Sequence, residues 1–308
     1  MLKKIAQKLK SLSKVTIVTH ENPDGDALGS SFALKFALEK LGIKADVVLE
    51  KPINPDFEFT GWAPLLYSET MNPENVIGVD FNELTRTGAC ATLFENTKTK
   101  MIVDHHICKA QTCELFLSDH TAAAAGELVF ELINELDVEI DKAIATALYI
   151  SIMSDTGGCR FGNTTAKTHT ILAKIIDLVD VAYVCRMLFD ITPLRKLELS
   201  AKLISEIEFY GDGKIGVISA QKLAPEDEHH LNDMANRALN VEGCLIGVFF
   251  KQRGDVVKVS LRTIGEVDAA KICSMFGGGG HKNAAGCSIA KPFAEAKEEF
   301  IRELMKWI

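Results

Sequence analysis

Eight acid or imidazole side chains fall at the ends of runs that read as strands or helices. The β-branched run 15–19 leads into His20 and then Asn22-Pro23-Asp24-Gly25-Asp26. The run 76–79 stops at Asp80, the run 101–103 at Asp104-His105-His106, and a helical stretch over 143–154 at Asp155-Thr156-Gly157-Gly158. Carboxylate and imidazole donors without thiolates suit Mn²⁺ or Mg²⁺, with Co²⁺ also compatible, rather than a structural zinc. So many carboxylates around one ion would be an excess of negative charge. Two ions bridged by one carboxylate resolve it, as in two-metal phosphoryl-transfer sites. The spacing Asp24-Gly25-Asp26 lets adjacent carboxylates address different ions, with Gly25 permitting a tight backbone. Taken singly, an aspartate at a strand end is an ordinary turn or cap residue, and Asp26 would serve to cap the helix starting at Ala27. Capping alone does not account for eight such residues together.

These side chains meet only if the elements behind them form an open parallel sheet, where ligands sit beyond the carboxyl ends of the strands. The runs 15–19, 45–49, 76–79 and 101–103 show no clean apolar/polar alternation, as strands buried on both faces do. Helical periodicity over 27–41, closed by Gly42, and over 122–136, 141–153 and 165–179 supplies flanking helices. Pro52, Pro55, Pro64 and Pro73 mark an irregular connection between the second and third strands. A charged helical stretch over 192–209 then precedes a change of pattern. A strand over 214–219, a hairpin signal at Gln252-Arg253-Gly254-Asp255, a short helix over 268–276, a glycine run, a strand near Ser288 and a terminal helix follow. The expected fold class is α/β: a mostly parallel-sheet N-terminal domain with flanking helices, plus a smaller mixed α/β C-terminal domain across a cleft. The expected boundaries are 1–190, a helical linker over 191–213, and 214–308.

The length of 308 residues suits two domains, each able to bury its own core. Hydrophobic residues at 47% and charged residues at 25% exclude wholesale disorder. A net charge of −8 argues against a protein that coats long nucleic acid. It leaves room for a small anionic substrate if bound cations supply the positive charge. The N-terminus lacks an apolar run of signal-peptide length, and the most apolar stretch, 143–153, is too short to span a bilayer. Eight cysteines without a C-x-x-C pair read as reduced thiols, so a cytoplasmic protein with no membrane contact is expected.

Taken together, Thr19-His20-Glu21-Asn22-Pro23-Asp24-Gly25-Asp26-Ala27, Gly78-Val79-Asp80, Val103-Asp104-His105-His106 and Ser154-Asp155-Thr156-Gly157 resemble the DHH phosphoesterase superfamily. Gly277-Gly278-Gly279-Gly280-His281-Lys282-Asn283-Ala284-Ala285-Gly286 resembles the signature of its associated C-terminal domain. The resemblance runs from about residue 15 to 290 in the family's order, and it is nearest to the small bacterial oligoribonuclease/pAp phosphatase (nano-RNase) group, sometimes labelled exopolyphosphatase-related. It implies two divalent metal ions, Mn²⁺ first among them. One would be held by His20, Asp24 and Asp80, and the other by Asp26, Asp80, His105 and Asp155, with Asp80 bridging. It further implies His106 facing the scissile phosphate, Asp104 supporting the histidines, and a hydroxide bridging the two metals as nucleophile. Arg262 matches the family's substrate-binding arginine, and Gly278, Gly279, Gly280 and His281 read as a backbone cradle for an anionic ligand. Cys159 stands where many members carry an aromatic and reads as a packing residue. Arg86 and Arg160 are weaker phosphate candidates, and His229-His230 read as solvent-exposed.

The implied activity is hydrolysis of short oligoribonucleotides to 5′-mononucleotides and of pAp to AMP plus phosphate. Short RNA oligonucleotides or small nucleotides are then the partners, long nucleic acid is not, and a homodimer is compatible with the sequence. A cyclic or linear di-AMP phosphodiesterase is the nearest rival in the same class. A nucleotide-binding sensor without catalysis is the rival from a different class, and no metal ligand of the motif is missing to favour it.

Overall fold

The computed structural model describes residues 1–107, 113–224, 227, 231 and 233–308, so Cys108, His229 and His230 lie outside the described residues. The chain divides into two compact units, Met1–Ile191 and Thr192–Ile308.

In the first unit, β1 (Lys14–Val18), β2 (Lys44–Leu49), β3 (Leu65–Leu66), β4 (Asn75–Val79), β5 (Thr99–Asp104) and β6 (Leu115–Ser118) form one sheet in the order β3-β2-β1-β4-β5-β6. Every neighbouring pair is parallel. The helices are α1 (Leu2–Lys10), α2 (Gly25–Lys40), α3 (Ala91–Glu95), α4 (Ala125–Glu135), α5 (Lys142–Asp155), α6 (Ala166–Ile175) and α7 (Val181–Cys185). The missing alternation in the strand sequences has a direct cause, because both sheet faces are covered. Ile17, Val47, Ile77, Val79, Met101 and Val103 pack with α2, α4 and α5 in the main core. Val18, Val48, Val76 and Ile102 point the other way, against Phe81, Leu93 and Phe94. The chain order reverses at β1, so the crevice beyond β1 and β4 is the switch point at which ligands bind in such sheets.

The helix expected from residue 122 begins at Ala125, because Ala124 is extended (φ −154°, ψ 155°). The stretch expected over 165–179 is α6, capped by a Thr165–Thr168 box, followed by a separate 3₁₀ turn Ile176–Leu178.

In the second unit, α8 (Leu194–Ser205), α9 (Met234–Leu239), α10 (Ala269–Ser274) and α11 (Phe293–Leu304) accompany β7 (Glu208–Tyr210), β8 (Ile215–Ala220), β9 (Ile246–Arg253), β10 (Val256–Thr263), β11 (Gly279–His281) and β12 (Ala284–Ile289). The sheet order is β11-β12-β10-β9-β8-β7, antiparallel except for β8 with β9. Segment 191–213 thus carries α8, which packs through Leu199 and Leu203, and β7, which pairs with β8. The hairpin signal is borne out: Arg253 pairs with Val256 across Gly254, whose φ is 56°. On β10 the odd-numbered residues Val257, Val259 and Leu261 are buried, while Lys258, Ser260 and Arg262 share the opposite, half-buried face.

Candidate metal centre

The segments that follow β1, β4 and β5, with the first turn of α2 and the last residue of α5, bring seven donors together. His20, Asp24 and Asp80 offer ligand atoms within 4.8 Å of one another, as do Asp26, His105 and Asp155, and as do Asp80, His105 and His106. Nε2 of His20 lies 3.4 Å from Oδ2 of Asp80. Nε2 of His105 lies 3.5 Å from Oδ1 of Asp80 and 3.6 Å from both Oδ2 of Asp26 and Oδ2 of Asp155. Asp80 is thus the carboxylate common to two of these constellations, one oxygen turned to each.

Each side chain is set by its local backbone. Asp24, not Asp26, caps α2: its Oδ1 accepts from the N–H groups of Asp26 and Ala27 at 3.0 and 3.1 Å. Asp26 is buried within the first turn of α2, where it accepts from Ser30 Oγ, Ser151 Oγ and the N–H groups of Ala125 and Gly126. Those last two are first-turn donors of α4, so a helix N-terminus faces the carboxylate. Gly25 is required for space rather than for turning, since a Cβ there would stand 1.9 Å from Ser154 Oγ at the end of α5. Asp80 has φ 64°, an uncommon left-handed value for a non-glycine residue, held by its N–H donating to Val103 O at 3.0 Å.

His105 Nδ1 lies 3.2 Å from Ala122 O. A carbonyl can only accept, so Nδ1 carries a proton, and Nε2 is the nitrogen turned toward the three carboxylates and able to ligate once deprotonated. His106 is held by the fully buried Asp104, which accepts from both its Nδ1 and its main-chain N–H.

The electrostatics call for cations. Burial, then the neighbouring charges of Asp80 and Asp155, push the Asp26 carboxyl well above its ordinary value. Burial pushes Asp155 up to about 6. Burial also opposes the charged form of His105, but the adjacent Asp80 carboxylate and the charges of Asp26 and Asp155 outweigh it and raise the ring to about 10. For Asp80 the nearby His105 and His20 imidazoles overcome burial and hold the carboxyl down at about 2. Oδ1 of Asp80 is nonetheless buried without a hydrogen-bond partner. An orphaned carboxylate oxygen among four aspartates and three imidazoles fits a bound divalent cation.

The substrate candidates lie in the second unit. Antiparallel register places His281 opposite Ala284 and Ala284 opposite Arg262, so His281 and Arg262 stand in one row on one sheet face with a small residue between them. The Arg262 guanidinium donates to Leu261 O at 3.0 Å. The glycine run is a turn leading into an edge strand. Gly278 backs onto the Gly286 carbonyl, where a Cβ would come within 2.1 Å, and Gly280 is packed against Ala284 and Ala285, while Gly279 faces open space. Cys159 is partly buried against the main core, with its Sγ 3.9 Å from Met153 Sδ. The Arg160 Nε donates to Gly157 O at 2.6 Å, and the Arg86 carbonyl accepts from Glu21 N–H at 2.7 Å. Sequence reasoning missed Ser30 and Ser151. The i,i+4 spacing of Asp26 and Ser30 on one helix face was the available signal for the first, and nothing local signals the second.

Comparison with known proteins places both parts of the chain in known families. The DHH family, N-terminal domain, matches residues 14–152, and the DHHA1 domain matches residues 218–308. The chain is 30% identical over 302 residues to a bifunctional oligoribonuclease and PAP phosphatase NrnA of Thermus thermophilus, covering 92% of this chain and 87% of that one. Its fold is similar to that of an exopolyphosphatase-related protein from Bacteroides fragilis, with TM-score 0.89 and 24% identity over 99% of this chain and 96% of that one. It is also similar to RecJ in complex with Mn²⁺ from Thermus thermophilus, with TM-score 0.58 and 15% identity over 99% of this chain and 54% of that one. Among the described residues no helix is long and apolar enough to cross a membrane. The chain therefore belongs to the DHH phosphoesterase family, with the DHHA1 domain as its C-terminal part.

Proposed function

We propose that this phosphoesterase hydrolyses very short oligoribonucleotides to 5′-mononucleotides, and 3′-phosphoadenosine 5′-phosphate to AMP plus phosphate. The observation that carries the reading is Asp80, whose two oxygens face the His20 and His105 constellations and whose Oδ1 is buried without a partner. The 30% identity to the Thermus oligoribonuclease and PAP phosphatase, along nearly the whole chain, supports the substrate class.

In this reading His20, Asp24 and Asp80 hold one divalent ion, and Asp26, Asp80, His105 and Asp155 hold a second. Mn²⁺ is the first ion to test, because the donors are oxygen and imidazole and a protein of the same fold carries it. Ions held there would supply Lewis acidity toward water and offset the phosphate's charge. The chain's own residues do the rest. Ser30, Ser151 and the first N–H groups of α4 fix the orientation of the Asp26 carboxyl. The Ala122 carbonyl fixes the His105 tautomer that leaves Nε2 free to ligate. Asp104 holds His106 through Nδ1, so the ring's other nitrogen serves the phosphate as a hydrogen-bonding group. Residues 1–190 act as the catalytic part and 214–308 as the substrate-binding part, in which Arg262, His281 and the main chain of Gly278, Gly279 and Gly280 grip the rest of the nucleotide.

The test is a substrate panel with the Mn²⁺-loaded protein: pAp, di- to pentaribonucleotides, cyclic di-AMP, pApA, pyrophosphate and polyphosphate. Fast release of mononucleotides from the shortest RNAs and of AMP from pAp is expected, and Arg262→Ala should raise KM for both. Activity confined to cyclic di-AMP or pApA would replace this reading with dinucleotide turnover. Activity on pyrophosphate or polyphosphate alone would overturn the role given to the second unit, and silence with nucleotide still bound would make the protein a sensor.

A further inference from the structure

Asn163 bonds to no donor side chain, yet its own side chain joins the residue that carries one of them, Asp155, to the segment that holds two others, His105 and Asp26. Its Nδ2 donates to Ala123 O at 2.9 Å and to Asp155 O at 3.1 Å. Two carbonyls can be satisfied only by the amide nitrogen, so the orientation of the side chain is fixed by chemistry.

Both acceptors are placed where position matters. Asp155 is the last residue of α5, and its carbonyl is one of those a helix end leaves without an internal partner. Ala123 lies between Ala122, whose carbonyl orients the His105 ring, and the Ala125 and Gly126 N–H groups that hold Asp26. The chain reaches this point through a backbone of uncommon shape. Gly157, Gly158 and Cys159 follow one another with φ of 57°, 72° and 62°. Three consecutive left-handed residues double the chain back on the end of α5, and a non-glycine residue in that run stores strain that must be offset nearby.

We infer that Asn163 is a positioning residue for the Asp26–His105–Asp155 metal site, clamping the end of α5 to the 122–126 segment so that the three ligands keep a common centre. This rests on the two-metal reading above. Loss of an outer support of this kind costs about 10–100-fold in metal affinity. The His20–Asp24–Asp80 site has no bond to either clamped segment through Asn163 and should be spared.

The experiment is calorimetric Mn²⁺ titration of the wild-type chain, Asn163→Ala and Asn163→Asp, with circular dichroism and thermal melting of each in chelator. Asn163→Asp keeps the shape but turns an oxygen toward two carbonyl oxygens, and it guards against a cavity effect in the alanine variant. The expected result is two ions bound by the wild type, with one site in both variants weakened about 10–100-fold and the other unchanged. Metal-free spectra and melting should match the wild type, and turnover should recover as Mn²⁺ is raised. Wild-type binding of two ions together with wild-type affinities in both variants would overturn the clamp alone. A wild-type chain that binds no ion would overturn the two-metal reading and the clamp with it.

Discussion

Asp104 holds His106 twice: Oδ1 lies 2.8 Å from Nδ1 and Oδ2 accepts the main-chain N–H at 3.1 Å. A carboxylate with no solvent exposure thereby fixes both the ring and the backbone of His106. Asp104→Asn keeps the volume but loses the charge that aligns the ring. We expect kcat to fall about 10–100-fold with two Mn²⁺ ions still bound. Steady-state kinetics beside a metal titration checks this, and a fall in the ion count would instead make Asp104 part of the ligand set.

Asp80 is the shared carboxylate, so its loss should be felt at both sites. Asp80→Asn is the suitable variant, because asparagine tolerates the left-handed backbone at φ 64° better than alanine. Turnover should drop to background and Mn²⁺ stoichiometry should fall below two per chain. Wild-type turnover by metal-loaded Asp80→Asn would remove Asp80 from the bridging position.

Metal removal should leave a chain whose stability declines with pH. Asp26 and Asp155 have raised folded-state values, Asp155 at about 6, so the folded state holds protons that the unfolded state releases near 3.8. Stability from these groups is greatest in acid and is lost as pH rises through that window. His105, raised from 6.5 to about 10, adds stability that is full below 6.5 and lost as pH climbs toward 10. The lowered value of Asp80 works in the opposite sense only between about 2 and 3.8. Melting temperatures in chelator should therefore fall from pH 4 to pH 9, and saturating Mn²⁺ should raise the curve most at its alkaline end. A flat metal-free profile would contradict the charge crowding described here.

Gly29 sets the approach of α2 to α5. A Cβ at that position would stand 2.4 Å from Ala147 O and 2.7 Å from Ser151 N, so the two helices must separate to admit a methyl group. Overpacking of this kind costs about 1–3 kcal/mol. Gly29→Ala should lower the denaturation midpoint accordingly, and activity should fall with it, because Asp26 and Asp155 ride on the two helices being parted. Denaturant unfolding monitored by circular dichroism gives the first quantity.

What was legible in the chain is what local chemistry dictates. The acids and imidazoles at His20, Asp24, Asp26, Asp80, Asp104, His105, His106 and Asp155 each lie at or beside an element end, and the strand runs before them show the unbroken burial of parallel strands. Residue type and period are local properties, so the donor inventory, the parallel sheet and the hairpin around Gly254 are all written in short stretches. Element ends were less legible: the 122–124 segment has helical composition, but its neighbourhood is spent on His105 and Asp26 instead of on a first helical turn. Tertiary structure alone decided that Asp24 rather than Asp26 caps α2. It also decided that Ser151, 125 residues away, and the start of α4, 99 residues away, hold Asp26. The physical reason is that these contacts arise where α2, α4 and α5 pack over one sheet. The hydrogen bonds made there join groups whose partners are chosen by packing geometry, and no periodicity in the sequence records that choice.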